Sequence, residues 1–129
     1  MPLLQFDIIE GRTDEELKEV LDTAHAVVLD VFKVPVRDRY QIVNEKKPNH
    51  MVFEDTGLGF SRTKDLIMLR VFTSPRPEEQ KVLFMKELAT ALEEKCGIKG
   101  NDLMISFFSN TRNDWSFGFG EAQYYTGTL

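Results

Sequence analysis

Cysteine is nearly absent: Cys96 is the only one in 129 residues. A single thiol closes no internal disulfide, so a reducing compartment, the cytoplasm, is the expected location. Long apolar runs are missing too. None approaches the ~18 residues that a membrane span needs. Met1-Pro2-Leu3-Leu4-Gln5-Phe6-Asp7 has neither the basic start nor the apolar stretch of a signal peptide. Histidine is scarce, and neither His25 nor His50 has metal-ligand spacing with Cys96 or a carboxylate, so no metal is expected. Gly57-Leu58-Gly59 and Gly118-Phe119-Gly120 do not follow a strand and open a helix, as a dinucleotide fingerprint must. No serine or cysteine triad is supported, and no cofactor is expected. Positive charge is also short: 16 Lys and Arg stand against 21 Asp and Glu, a net charge of -5. That balance argues against nucleic acid or an anionic membrane as a partner. It leaves room for a local cationic pocket, which a small acid substrate needs.

What is present suffices for a core. Hydrophobic residues make up 42% and aromatics 11% of the chain, which fits one folded domain over 1–129. Residues 3–9 alternate imperfectly and predict a strand. Gly11 breaks it. Thr13-Asp14-Glu15-Glu16 reads as a capping box, with Thr at the N-cap and Glu three residues on. The helix it opens carries Leu17, Val20, Leu21, Ala24, Val27, Val28 and Val31 at i, i+3, i+4 spacing. Pro35 ends it, and 40–44 predicts a second strand.

The same pattern returns. Residues 66–73 read as a strand. Pro77, Glu78 and Glu79 suit a first helical turn, and Leu83, Phe84, Leu88, Ala91 and Leu92 form the apolar stripe. Gly97 terminates the helix, and 103–108 reads as a fourth strand. Sliding the chain lays Thr13…Lys18 on Arg76…Lys81 and Val34…Asp38 on Ile98…Asp102. The chain is therefore read as an internal β-α-β duplication, about 2–44 and 65–108. Between the halves, 45–64 is an excursion or small hairpin. An aromatic, Gly-rich tail covers 111–129. Two such units give an α+β fold: a four-stranded sheet with both helices on one face. The other face carries Leu3, Ile9, Leu66, Met68 and Phe72. It is too apolar to leave in water, so other copies of the chain are expected to cover it.

Pro2-Leu3-Leu4, Glu10-Gly11-Arg12-Thr13, Arg37…Val43, Glu54…Gly59, Glu78…Lys81 and Asp114…Gly118, together with the duplication, resemble the tautomerase superfamily. Within it they are most similar to malonate semialdehyde decarboxylase. The resemblance implies a homotrimer with the fold of macrophage migration inhibitory factor and an active site near each Pro2. It also implies functional roles at Pro2, Asp38, Arg76, Trp115, Phe117 and Tyr124. One departure stands out. The decarboxylase pattern has two arginines flanking a proline, and here the segment is Ser74-Pro75-Arg76. Tyr124 also stands where an apolar aromatic is usual.

With Met1 removed, Pro2 offers a secondary amine. Burial and nearby cations lower its pKa toward that of a general base, while a close Asp38 raises it toward that of an acid. Arg76, expected at the N-cap of the second helix, can fork a carboxylate. Asp38 combines turn chemistry with tuning of Pro2 or orientation of water. Trp115, Phe117 and Tyr124 are candidate pocket walls, and Arg70 is read as one half of an intersubunit ion pair, with a second pocket cation as the alternative. The expected activity is cofactor-free tautomerisation of a small oxo or enol carboxylic acid. The alternatives are a malonate semialdehyde decarboxylase- or hydratase-like lyase, and a non-catalytic trimeric interaction protein that keeps Met1.

Overall fold

The structure, a computed structural model, describes residues 1–129. Four strands form one sheet: β1 (Leu3–Ile9), β2 (Tyr40–Lys46), β3 (Ile67–Thr73) and β4 (Leu103–Ser109), in the order β2-β1-β3-β4. β1 pairs parallel with β2, and β3 parallel with β4. The two halves join antiparallel along β1 and β3, with Leu3 opposite Phe72 and Ile8 opposite Ile67. Each half is thus one β-α-β unit, whose parallel strands need a helix-length connection.

Helix α1 (Asp14–Phe32) begins as its sequence dictates. The Thr13 hydroxyl accepts from the Glu16 amide at 3.1 Å, and the Glu16 carboxylate accepts from the Thr13 amide at 2.9 Å. Lys33 closes it in the left-handed conformation, two residues ahead of Pro35. Helix α2 (Glu78–Cys96) has Pro77 at its N-cap and no side-chain cap. Arg76 therefore lies one position outside the N-cap, not at it as expected. The two helices match when Thr13 is laid on Pro77. Gly97 ends α2 in the left-handed conformation, its amide bonded back to Glu93 and Leu92. No helix is long and apolar enough to cross a membrane.

Strand alternation puts Leu4, Phe6, Ile8, Ile67, Leu69 and Val71 against both helices, where Ala24, Val28, Phe84, Leu88 and Leu92 complete the core. On the opposite face, the structure changes two expectations. Residues 45–64 form no hairpin. β2 runs to Lys46, Pro48–His50 make a single 3-10 turn, and Asp55 collects the amides of Gly57, Gly59 and Phe60. The excursion folds back instead, so that Met51 and Phe53 pack on Ile9, Leu66 and Met68. The chain thus covers part of this face itself. Arg70 pairs with Asp7 on the neighbouring strand of the same chain, where an intersubunit pair was expected. Both side chains project from the outer face in adjacent registers, so the nearest carboxylate is intramolecular. Phe72 and Phe108 stack at 5.1 Å beyond them.

Candidate active site

An open cleft of about 910 Å³ lies where the amino terminus meets the end of α1, the β3–α2 connection and the carboxy-terminal tail. The fold explains why these segments meet. β1 starts beside the end of β3, because Leu3 is opposite Phe72. The antiparallel junction therefore brings residue 1 to the loop that carries Ser74, Pro75 and Arg76.

The ring of Pro2 is buried in the protein, and Met1 lines the cleft. Here the Pro2 nitrogen is an amide, and the free amine is that of Met1. The pKa of this amine is lowered from 8.0 to about 6, by burial first and then by Arg76, with a smaller push from Arg112 and with Asp38 opposing them.

Asp38 sits in the turn after α1, with its amide bonded to the Pro35 carbonyl at 2.9 Å. It is only 6% exposed, and its Oδ1 has no hydrogen-bond partner. Burial pushes its pKa up, offset by the terminal ammonium, Arg76 and His25. An orphaned buried carboxylate oxygen is costly, and its place on the cleft wall gives it an outlet. His25 helps to shape this turn by donating from Nε2 to the Val36 carbonyl at 2.9 Å.

Arg76 enters from the opposite wall. Its Nε donates to Thr73 Oγ1 at 3.2 Å, and its guanidinium lies 4.9 Å from the centre of the Phe32 ring. It makes no ion pair within the chain. Such a guanidinium, held at one edge and backed by an aromatic face, keeps its other donors for a ligand.

Of the three aromatics, the cleft takes Tyr124 alone. Trp115 and Phe117 stand behind it: Trp115 stacks on Phe117 at 5.8 Å, and Phe117 meets Tyr40 at 5.8 Å and the edge of Tyr124 at 5.7 Å. Trp115 Nε1 donates to Asn110 Oδ1 at 2.8 Å, which fixes the stack to the end of β4. Burial, then Asp38, raises the pKa of Tyr124, so its hydroxyl stays a proton donor. The structure thus gathers the amino terminus, Asp38, Arg76 and Tyr124 at one place. Within a single chain it does not bring Trp115 or Phe117 to the cleft surface.

Sequence reasoning passed over Arg112, Phe32 and Lys33, which also line the cleft or back its cation. A signal for Arg112 exists: it is the only Lys or Arg after Lys99. Phe32 and Lys33 look like an ordinary helix end.

Known proteins share this frame. Two family profiles, both described as tautomerase enzyme, match residues 38–118 and 2–61. A probable tautomerase of Bacillus subtilis strain 168, YrdN, is 57% identical over 129 residues, the full length of both chains. A second from the same organism, YusQ, is 27% identical over 95% of this chain and 98% of its own. A crystal structure of malonate semialdehyde decarboxylase is 49% identical, spans 98% of each chain and superposes with a TM-score of 0.96. Another, of an FG41 malonate semialdehyde decarboxylase inhibited by 3-bromopropiolate, is 36% identical over 98% of this chain and 97% of its own, with a TM-score of 0.94. Fused 4-OT, described as a symmetric trimer, is 17% identical with a TM-score of 0.79 and shares the fold. Full-length identity above half, matched family profiles and a superposable backbone give one conclusion: this chain is an enzyme of the tautomerase family.

Proposed function

We propose that the enzyme interconverts the keto and enol forms of a small oxo carboxylic acid, with Pro2 as the proton carrier once Met1 is removed. The observation that supports this reading is the meeting of the amino terminus with an unpaired Arg76 and an orphaned Asp38 oxygen in one cleft, where burial and then Arg76 lower the pKa of the amine now present, that of Met1, to about 6. The same burial and the same cation act on the Pro2 amine that removal of Met1 exposes, and both favour its unprotonated, basic form. In the ketonisation direction, Pro2 accepts the enol hydroxyl proton and delivers it to carbon, where the C=C electron pair forms the new C–H bond. In the reverse direction it removes that carbon proton, the C–H electron pair moves onto oxygen through the enolate, and Pro2 returns the proton to oxygen. Arg76 holds the carboxylate or the developing enolate oxygen, where a fixed guanidinium in a partly dry cleft is most effective. Asp38 sets the field at the amine, Tyr124 donates to a substrate oxygen, and Trp115 and Phe117 brace Tyr124 from behind.

A second reading, decarboxylation of malonate semialdehyde, is favoured by the 49% identical enzyme of that name. It runs on protonated Pro2. The C–CO₂ bond breaks, its electron pair enters the enolate, and the enolate carbon then takes a proton. The two readings part on pH. A base mechanism gains kcat/KM as pH rises through the pKa of the Pro2 amine, and an acid mechanism loses it. Rates with phenylpyruvate enol, 2-hydroxymuconate and malonate semialdehyde, on Met1-free protein checked by intact mass, assign the activity. No turnover of any of the three would remove both readings.

We also infer a homotrimer working in the cytoplasm. Ile42 on β2 and Met104 and Phe108 on β4 are exposed apolar side chains on edge strands, a surface suited to burial against further copies. The lone, half-buried Cys96 fits a reducing compartment. Sedimentation equilibrium at three times the chain mass is the expected result.

A further inference from the structure

The cleft holds a second guanidinium. Arg112 stands in the 3-10 turn Arg112–Asp114 that follows β4. The turn is a firm mount, since the Thr111 amide and hydroxyl both donate to Asp114 Oδ2, at 2.7 and 3.0 Å. From it the Arg112 guanidinium reaches over the Tyr124 ring, 4.3 Å from its centre. Neither Arg112 nor Arg76 has a carboxylate partner in the chain. Asp38 is the only acidic side chain on the cleft wall, against Lys33, Arg76 and Arg112. Two unpaired guanidiniums facing one cleft repel each other, and each lowers the pKa of the terminal amine. An anion between them relieves that repulsion.

We propose that Arg112 is a second anion-binding arm of this site. The ligand it selects is an oxo acid held at two oxygen-bearing groups, the carboxylate by Arg112 and the oxo or enolate oxygen by Arg76. The inference rests on the reading that the cleft turns over small oxo acids. The two cations come from separate elements, the start of α2 and the turn after β4. They can therefore engage two groups of one small molecule, where a single fork engages one. Tyr124 serves as the platform for Arg112. Its ring face favours the cation, and Phe117 holds the ring from the side. The same arm supplies positive charge on the wall that Ser74 shares, where the side chain carries none.

The test separates binding from turnover. Malonate, a dicarboxylate with no proton-transfer outcome in this site, is titrated calorimetrically into wild-type protein, Arg112→Ala and Arg112→Lys. Arg112→Ala is expected to weaken the Kd about tenfold to a hundredfold, the scale of one charge-assisted contact. Arg112→Lys should recover part of the loss. Arg112 is exposed, so an unchanged melting curve confirms that the fold survives. In turnover, Arg112→Ala should raise KM for phenylpyruvate far more than for its methyl ester. The amine-linked limb of the pH profile should also move upward, because a cation has left its field. An unchanged malonate Kd, absent malonate binding to wild type, or an equal loss on acid and ester would each overturn the assignment. If wild type turns over no oxo acid while Arg112→Ala still loses malonate, the anion arm stands and the catalytic reading falls.

Discussion

Asp38 and Asp102 occupy matching turns, each just ahead of the second strand of its half, and both are buried, at 6% and 2% exposure. Asp102 is fully engaged: Thr63 donates its amide to Oδ1 at 2.6 Å and its hydroxyl to Oδ2 at 2.5 Å. Asp38 leaves Oδ1 without a partner. The surroundings differ in the same sense. Arg12 follows β1 as Arg76 follows β3, and a smaller cleft of about 430 Å³ lies beside it, with Cys96 and Ile98 at the end of α2. There the chain runs straight through Lys64 and Asp65, where the first half has its terminus. Arg12 Nη2 donates to the Asp65 carbonyl at 2.8 Å, so this copy ties the chain down. One unit thus serves twice. Where the chain continues, Asp102 and one arm of Arg12 are tied to the chain, and only Arg12 Nη1 is left without a partner. Where the chain begins, the polar groups stay open to a ligand and an amine.

The comparison breaks most sharply at the amine. On Met1-free protein, Pro2→Ala is expected to cost about 10²–10⁴-fold in kcat/KM, the usual contribution of positioned acid–base catalysis. Blocking the amine by retained Met1 should do the same, measured in the same assay after intact-mass analysis. Next come the paired arginines. Arg76→Ala should lower kcat/KM for the acid substrate about tenfold to a hundredfold. Arg12→Ala should leave the rate unchanged and lower the melting temperature, because it frees the Asp65 carbonyl.

The two aspartates should respond oppositely. Asp102→Ala removes both Thr63 bonds and is expected to cost about 1.5–3 kcal/mol in urea unfolding. Burial raises the Asp38 pKa in the folded state. Its contribution to stability is therefore complete below the ordinary carboxylate value and lost as pH rises through the raised one. Ionised Asp38 weakens the fold at pH 7, so Asp38→Asn should hold or raise the melting temperature there. The same change removes a group that raises the pKa of the terminal amine, so the amine-linked limb of the kcat/KM pH profile should move to lower pH. The smallest effect concerns the helix ends. Lys33 takes the left-handed conformation at φ 55°, and Gly97 its counterpart at φ 68°. Lys33→Gly should gain up to about 1 kcal/mol, since relief of side-chain strain outweighs the added freedom of glycine in the unfolded chain.

Much of the fold was legible because its signals are local. The Thr13 capping box, the Val20-Ala24-Val27-Val31 stripe and Gly97 each dictate the conformation of their own few residues. The excursion was harder to read. Met51 and Phe53 look like loop residues until the sheet supplies Ile9 and Met68 to pack against. Arg70 likewise has no visible partner in its own segment, because Asp7 lies on another strand. Of the site, Pro2, Asp38, Arg76 and Tyr124 were reached through family resemblance, and the meeting of the last three with Met1 in one cleft came with the structure. Arg112 carried no motif. Its position depends on where the tail places Tyr124.

The sequence alone determined the two β-α-β units, the start of α1, the end of α2 and the side of each strand that faces the core, since periodicity and caps act over a few residues. Tertiary structure decided which of the two equivalent turns stays open. Antiparallel pairing of β1 with β3 sets the amino terminus beside Arg76 and Asp38. The same pairing leaves the second copy with a continuous chain, and no local pattern distinguishes those two outcomes.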